Sequence, residues 1–213
     1  MKLLSFAKAL AVFTVFASPL VSSAAGTEWK IDTSHSSAQF SVRHMMVSNV
    51  RGEFGNVTGT ATIDDADLTK SAVSAEIDAA TINTREPKRD EHLKSPDFFD
   101  VAKFPKISFK STKVEKVGAQ IKVTGDLTMH GVTKPVVLTG DAPSQTIKDP
   151  FGNVKRGLSV QTKLSRKEFG LAWNKAIEAG GVAVGDEVSI TIDLELNQAK
   201  APAPAPAAAG AKK

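Results

Sequence analysis

The side chains best suited to chemistry in this sequence are four histidines, His35, His44, His92 and His130, in a chain with no cysteine and no tyrosine. Histidine can ligate a metal, shuttle a proton or hydrogen-bond a ligand. None of the four stands in a His-x-His, His-x-x-x-His or two-His-one-carboxylate pattern, so neither a metal site nor a cofactor is expected. The zero cysteine count excludes thiol catalysis and zinc-thiolate sites. The chain also lacks a Gly-x-Ser-x-Gly elbow, a phosphate loop and a Gly-x-Gly-x-x-Gly fingerprint. His44 falls on the apolar face of an alternating segment and is a candidate rim group for the polar head of a ligand. A hydrolytic or metal enzyme would have to join His44 to His130, yet strict alternation puts His130 with Asp126 and Thr128 on an outward face. His130 reads better as a cap for the turn at Gly131, and His35, three residues after Asp32, as a partner for local backbone. No catalytic residue is expected.

Strands must position these groups. Over 37–44, Ala38, Phe40, Val42 and His44 alternate with Gln39, Ser41 and Arg43, the pattern of a half-buried strand. The same period recurs at Val73, Ala75 and Ile77, at Ile107 and Phe109, and from Ala119 through Ile121, Val123, Gly125 and Leu127 to Met129. It returns over 158–164 and 188–196. About eight such segments, with gaps too short for parallel crossovers, predict an all-β antiparallel fold. Gly52, Gly55 and Gly59 suggest a bend or bulge, and Asp149-Pro150-Phe151-Gly152-Asn153 a tight turn. The inward set includes many slender residues (Ala38, Val42, Ala75, Ala79, Ala119, Val123, Gly125, Thr162). That favours an eight-stranded barrel with room for a ligand. Ordinary close packing of small residues opposite Phe40, Phe54 and Phe109 would give the same pattern, in a packed β domain that serves only as an interaction surface.

One insertion breaks the alternation. Thr84 as cap, Pro87 in the first turn and Ser95-Pro96 as a stop predict a short helix over 85–94. Asp90 is expected to pair with Lys94, and Arg89 and His92 lie one helical turn apart. Phe98, Phe99 and Phe104 follow, so the insertion reads as a helical lid over a barrel end or a cover for a sandwich edge. Trp29 and Trp173 are expected as core or rim fillers.

Lys2 and Lys8, an apolar run over 9–16 and Ser22-Ser23-Ala24-Ala25 predict a signal peptide over 1–24, hence export to the periplasm or beyond the cell. Without Lys2 and Lys8 the charge is 25 basic against 23 acidic residues, or +2. Such a balance predicts neither a nucleic-acid groove nor a polybasic membrane patch. One domain is expected over 26–198, held by packing alone, and an extended Ala/Pro/Lys tail over 199–213. A strand edge near Asp32 or at the last strand could pair with a second copy as a homodimer.

Several stretches stand out together: Asp32-Thr33-Ser34-His35-Ser36, Phe40-Ser41-Val42-Arg43-His44, Gly52-Glu53-Phe54 and the run from Arg89-Asp90-Glu91-His92-Leu93 to Phe98-Phe99-Asp100. Pro105-Lys106-Ile107-Ser108-Phe109, the run from Gly125 through His130-Gly131 to Val136, and Arg166-Lys167-Glu168-Phe169-Gly170 complete the set. In these stretches the chain resembles the YceI-like family, and the resemblance implies an eight-stranded antiparallel lipocalin-like barrel with a short helical lid insertion. Its tunnel would sequester an isoprenoid lipid such as a polyprenyl quinone, without covalent chemistry, with transient contact to a membrane or lipid donor. On that reading Phe40, Val42, Val73, Ile77, Phe109, Val123, Leu127 and Met129 line the cavity. His44 stands at its rim, and Leu93, Phe98 and Phe99 close one end. Each buried methylene contributes roughly 0.8 kcal/mol and one head-group hydrogen bond about 1 kcal/mol, so the tail should set affinity and the head selectivity.

Overall fold

The computed structural model describes residues 26–178 and 180–199. The expected signal peptide, and all of the expected tail except Ala199, lie outside the described residues. Eleven strand segments are described: β1 (Thr27–Ile31), β2 (Ser37–His44), β3 (Ser48–Phe54), β4 (Thr58–Ile63), β5 (Ala72–Asp78), β6 (Lys106–Val117), β7 (Gln120–Met129), β8 (Val132–Asp141), β9 (Ile147–Lys148), β10 (Val154–Ser165) and β11 (Val184–Gln198). They fill eight positions around a closed antiparallel barrel. One ring of pairings runs β11-β1-β4-β5-β6-β7-β8-β10, and β10 pairs with β11 from Lys155↔Asn197 to Ser165↔Glu187 to close it. Closure leaves no sheet edge along that ring.

Three positions hold broken strands, one of them β8 and β9, which pair with β10 at Gly140↔Val160 and at Lys148↔Val154. β1 pairs with β11 at Trp29–Ile31 and β2 takes over the same edge from Ser37 to His44. Between them Asp32 N donates to Glu195 O at 2.8 Å, and Glu195 N donates to Ser36 Oγ at 3.0 Å, so the β11 backbone stays satisfied across the break. β3 and β4 form the second broken position, interrupted at Gly55-Asn56-Val57. The edges near Asp32 and on β11 are thus consumed inside the barrel, which removes the pairing site proposed above for a second copy.

The lid helix α1 (Pro87–Lys94) starts two residues later than expected, and its cap is Glu86, whose carboxylate accepts from Lys88 N at 3.2 Å. Thr84 is instead a buried anchor. Its N–H and hydroxyl donate to Asp90 Oδ1, and its hydroxyl and carbonyl oxygens accept from Arg89. Asp90 therefore serves Thr84, not Lys94, because a buried hydroxyl needs a partner more than the half-buried Lys94 does. Ser95 ends the helix as expected. The whole insertion fills the gap between β3 and the upper ends of β5 and β6, where Glu53 and Asn83 exchange backbone hydrogen bonds at 3.0 and 2.9 Å.

Not all of the small inward residues leave space. A Cβ on Gly52 would lie 2.5 Å from Phe40 Cζ and 2.7 Å from Thr84 Cγ2, and one on Gly125 would strike the Phe109 ring. These two glycines are seats for phenylalanine rings. Gly52→Val should lower stability by about 1–3 kcal/mol through overpacking, measured as a shift in the urea midpoint.

Candidate ligand cavity

Inward side chains of the barrel enclose a cavity of about 130 Å³, and only Gln39, Ser108 and Thr162 among its lining residues are polar. A narrower apolar space of about 50 Å³ shares Val73, Val123, Leu158 and Leu194 with it and continues to Ile63, Leu68 and Leu196. From Ile190 to Leu196 the β11 wall covers six residue steps, roughly 20 Å. Ile190 lines the larger space and Leu196 the smaller, so the two together lie along that length of β11.

Of the residues expected to contact a ligand, Phe40, Val73, Ile77, Phe109, Val123, Leu127 and Met129 line this cavity. Val42 and His44 do not: β2 carries them past the lining, Val42 half-buried and His44 exposed at the strand end. Leu93, Phe98 and Phe99 also stand off the wall. Leu93 is partly buried and packs against the core cluster. Phe98, 7% exposed, packs against His92 and Trp173 at ring-centroid distances of 5.1 and 5.2 Å. Phe99 meets the wall residue Phe54 edge-on at 5.4 Å, and Phe54 lies 5.7 Å from Phe40. The lid aromatics thus pack within the core cluster beside the cavity and reach its lining through Phe54. Ala38, Ala75, Val123 and Thr162 leave space as expected, whereas Val42, Ala79, Ala119 and Gly125 do not. Missed lining residues on β8, β10 and β11, such as Val136, Leu138, Val160 and Ile192, follow from the same inward parity.

The histidines do not converge. His130 stands in its turn at φ +52°, with Nδ1 3.2 Å from Phe169 O and its ring 4.8 Å from that of Phe104. His92 Nε2 lies 2.9 Å from Asp97 Oδ2 and pins the lid. His35 Nδ1 is 3.1 Å from Asp32, which shares Lys155 with Glu195. Asp32, His35 and Glu195 are near enough to one another to hold an ion, but the Lys155 ammonium already lies 3.0 Å from Asp32 and 2.6 Å from Glu195. It supplies the positive charge that an ion would bring.

The Lys155 hydrogen bond, opposed by burial and aided by His35, Asn197 and Ser34, holds the Asp32 carboxyl far below the usual carboxylate range. A depressed folded pKa contributes stability above the unfolded value of about 3.9 and loses it as pH falls through the folded value. Asp32→Asn should therefore be less stable than wild type at pH 7, with the gap narrowing steadily below about pH 4. Urea midpoints across that range measure it, and a gap independent of pH would contradict it.

Sequence reasoning gave no role to Arg166. It is 5% exposed, and its guanidinium donates to the backbone carbonyls of Leu171, Trp173, Val184 and Gly185. Burial pushes the guanidinium down, opposed by the Asp186 charge. One side chain thus fastens Leu171, Trp173, Val184 and Gly185 together at the lid end of the barrel. At the far end, Arg156 lies 5.2 Å over the Trp29 ring and donates to Ser144 O at 3.0 Å and Asp65 Oδ1 at 2.9 Å.

Residues 29–196 match the YceI-like domain. The "Protein YceI" of Salmonella newport (strain SL254) is 36% identical over 171 residues, covering 79% of this chain and 86% of the relative. The Campylobacter jejuni YCEI protein superposes with a TM-score of 0.63 at 30% identity, over 74% of this chain and 90% of that one. A polyisoprenoid binding domain from Saccharophagus degradans shares the fold, with a TM-score of 0.56 at 15% identity over 80% and 98% of the two chains.

Proposed function

Because the chain belongs to the YceI-like domain family, we propose that it binds the chain of an isoprenoid lipid, such as a polyprenyl quinone or related carrier lipid, inside the barrel. It acts as a non-catalytic carrier or store in the periplasm. The observation that carries this reading is the cavity itself. An empty apolar void of about 130 Å³ costs roughly 3 kcal/mol against a filled core, a large part of the net stability of an ordinary domain. A flexible, unbranched or methyl-branched hydrocarbon would recover that loss by filling the space with apolar atoms. The related fold from Saccharophagus degradans is described as a polyisoprenoid binding domain, which favours an isoprenoid among such chains.

Phe98 and Phe99 act in this reading as the brace that keeps the wall closed around the lipid. Replacing both with alanine should speed release of a preloaded isoprenoid alcohol about tenfold or more while the β-rich circular dichroism is retained. Native mass spectrometry of the full chain follows the release. Failure of the delipidated wild-type chain to take up any isoprenoid would contradict the function; unchanged release from a folded variant would contradict the bracing role.

A further inference from the structure

We infer that the turn joining β2 to β3 is where this protein docks on a bilayer containing anionic phospholipid to collect or deliver its hydrocarbon chain; this rests on the isoprenoid reading above. The turn carries Met45, Met46 and Val47, all exposed and Val47 at 78%. Three consecutive apolar side chains in water at one hairpin tip form a patch, whereas single exposed ones are ordinary surface.

The fold holds this tip in place. Met45 and Met46 stand at φ +50° and +61°, left-handed conformations that turns normally give to Gly, Asn or Asp. Three hydrogen bonds keep them there: Met45 N donates to Ala183 O at 2.8 Å, Val47 N to His44 O at 3.1 Å, and Arg43 Nη2 to Met46 O at 2.9 Å. A Cβ on Gly181 would lie 3.2 Å from Met46 Cγ and 3.8 Å from Ile177 Cδ1, so half-buried Ile177 extends the patch across bare backbone.

The patch leads into the barrel. Phe40 and Ile190 are paired across β2 and β11 and line the cavity. Two residues nearer the turn, half-buried Val42 pairs with Val188 and with Val50 and shares that inward face, and His44 alone separates it from the tip on that face. A hydrocarbon chain passing between bilayer and cavity can follow these side chains. Phe151, 90% exposed at the opposite end, has no such track: on the inward face of β10 the residue before the lining Leu158 is Arg156, bound to Asp65.

Charge identifies the occupant. Within four residues of the turn and on the 175–187 segment beside it, the cations are Arg43, Arg51 and Lys175, all exposed. The acids there are Glu178, Asp186 and Glu187, but Asp186 accepts from Ser165 Oγ and Lys167 N, and Glu187 from Lys163. Three cations thus stand against Glu178. An apolar tip rimmed by cations fits the headgroup boundary of an anionic bilayer.

The test is transfer of geranylgeraniol to the delipidated full chain from vesicles of phosphatidylcholine with phosphatidylglycerol, read by mass spectrometry after flotation removes the vesicles. Met46→Asn with Val47→Ser suits the turn, because asparagine accepts the left-handed conformation, and should leave the thermal melt unchanged. The pair should slow transfer at least about tenfold, while uptake from a vesicle-free dispersion stays within about threefold of wild type. Omitting phosphatidylglycerol or raising salt should slow wild-type transfer at least about threefold, and Phe151→Ser should transfer like wild type. Wild-type transfer by the tip variant, equal slowing from both sources, indifference to phosphatidylglycerol and salt, or slowing by Phe151→Ser instead would overturn the docking site and leave the isoprenoid reading standing. A wild-type dimer that the tip variant splits, seen by light scattering, would give the tip to a second copy and overturn it as well. Uptake from neither source would overturn both.

Discussion

A variant carrying Ala75→Phe and Thr162→Phe should emerge from purification folded and free of lipid. Both residues line the cavity of about 130 Å³, and two added rings would occupy the space a chain needs. Overpacking typically costs about 1–3 kcal/mol, but here the rings also fill a void whose emptiness costs roughly 3 kcal/mol. The net change in stability should be small, within about 2 kcal/mol, while lipid occupancy falls at least tenfold. Lipid per protein by mass spectrometry and a thermal melt read the two effects separately. In a solidly packed domain the same substitutions would unfold the chain. Full occupancy in a folded variant would place the lipid elsewhere.

Arg166→Met should be the most destabilising single change outside the apolar core. Methionine matches the apolar stem but leaves the carbonyls of Leu171, Trp173 and Gly185 without this donor, and Val184 O with the Asn174 amide in its place. Each buried carbonyl left without a donor costs about 1–3 kcal/mol, so the three together should cost about 3 kcal/mol or more. Arg166→Lys should recover little, because a single ammonium cannot span acceptors that a planar fork reaches from both sides. The loss should appear in the urea midpoint together with faster lipid release, since the same bonds hold Leu171 and Trp173 at the lid end. If Arg166→Met does not fold, Asn174→Ala, which removes the neighbouring bonds to Val184, gives the milder version of the same test. An unchanged midpoint in Arg166→Met would show that the segment is held by other contacts.

The strands were legible because the barrel obeys one rule throughout: β7 presents Ile121, Val123, Gly125, Leu127 and Met129 inward and its polar residues outward, as alternation requires. The broken positions were harder to see. β1 is a five-residue segment whose partners are β4 and the far end of β11, and nothing local marks it as the continuation of β2. Parity also misled at the glycines, since it gives the direction of a side chain and not what fills the space beside it. Gly125 looked like a gap and is the seat of Phe109, while Gly52, expected only as part of a bend or bulge, is the seat of Phe40. The Asp90–Lys94 pairing failed because helical spacing says nothing about Thr84, a buried hydroxyl outside the helix. Arg166 was invisible for the same reason: its acceptors are backbone carbonyls up to nineteen residues away, and carbonyls have no sequence signature.

The most direct measurement is organic extraction of the full chain, expressed in bacteria and purified without detergent, followed by mass spectrometry of the extract. A long-chain isoprenoid recovered at close to one per protein, and lost in the Ala75→Phe, Thr162→Phe variant, is the predicted result. An extract without isoprenoid, from folded protein that also takes none up when it is supplied, would contradict the account.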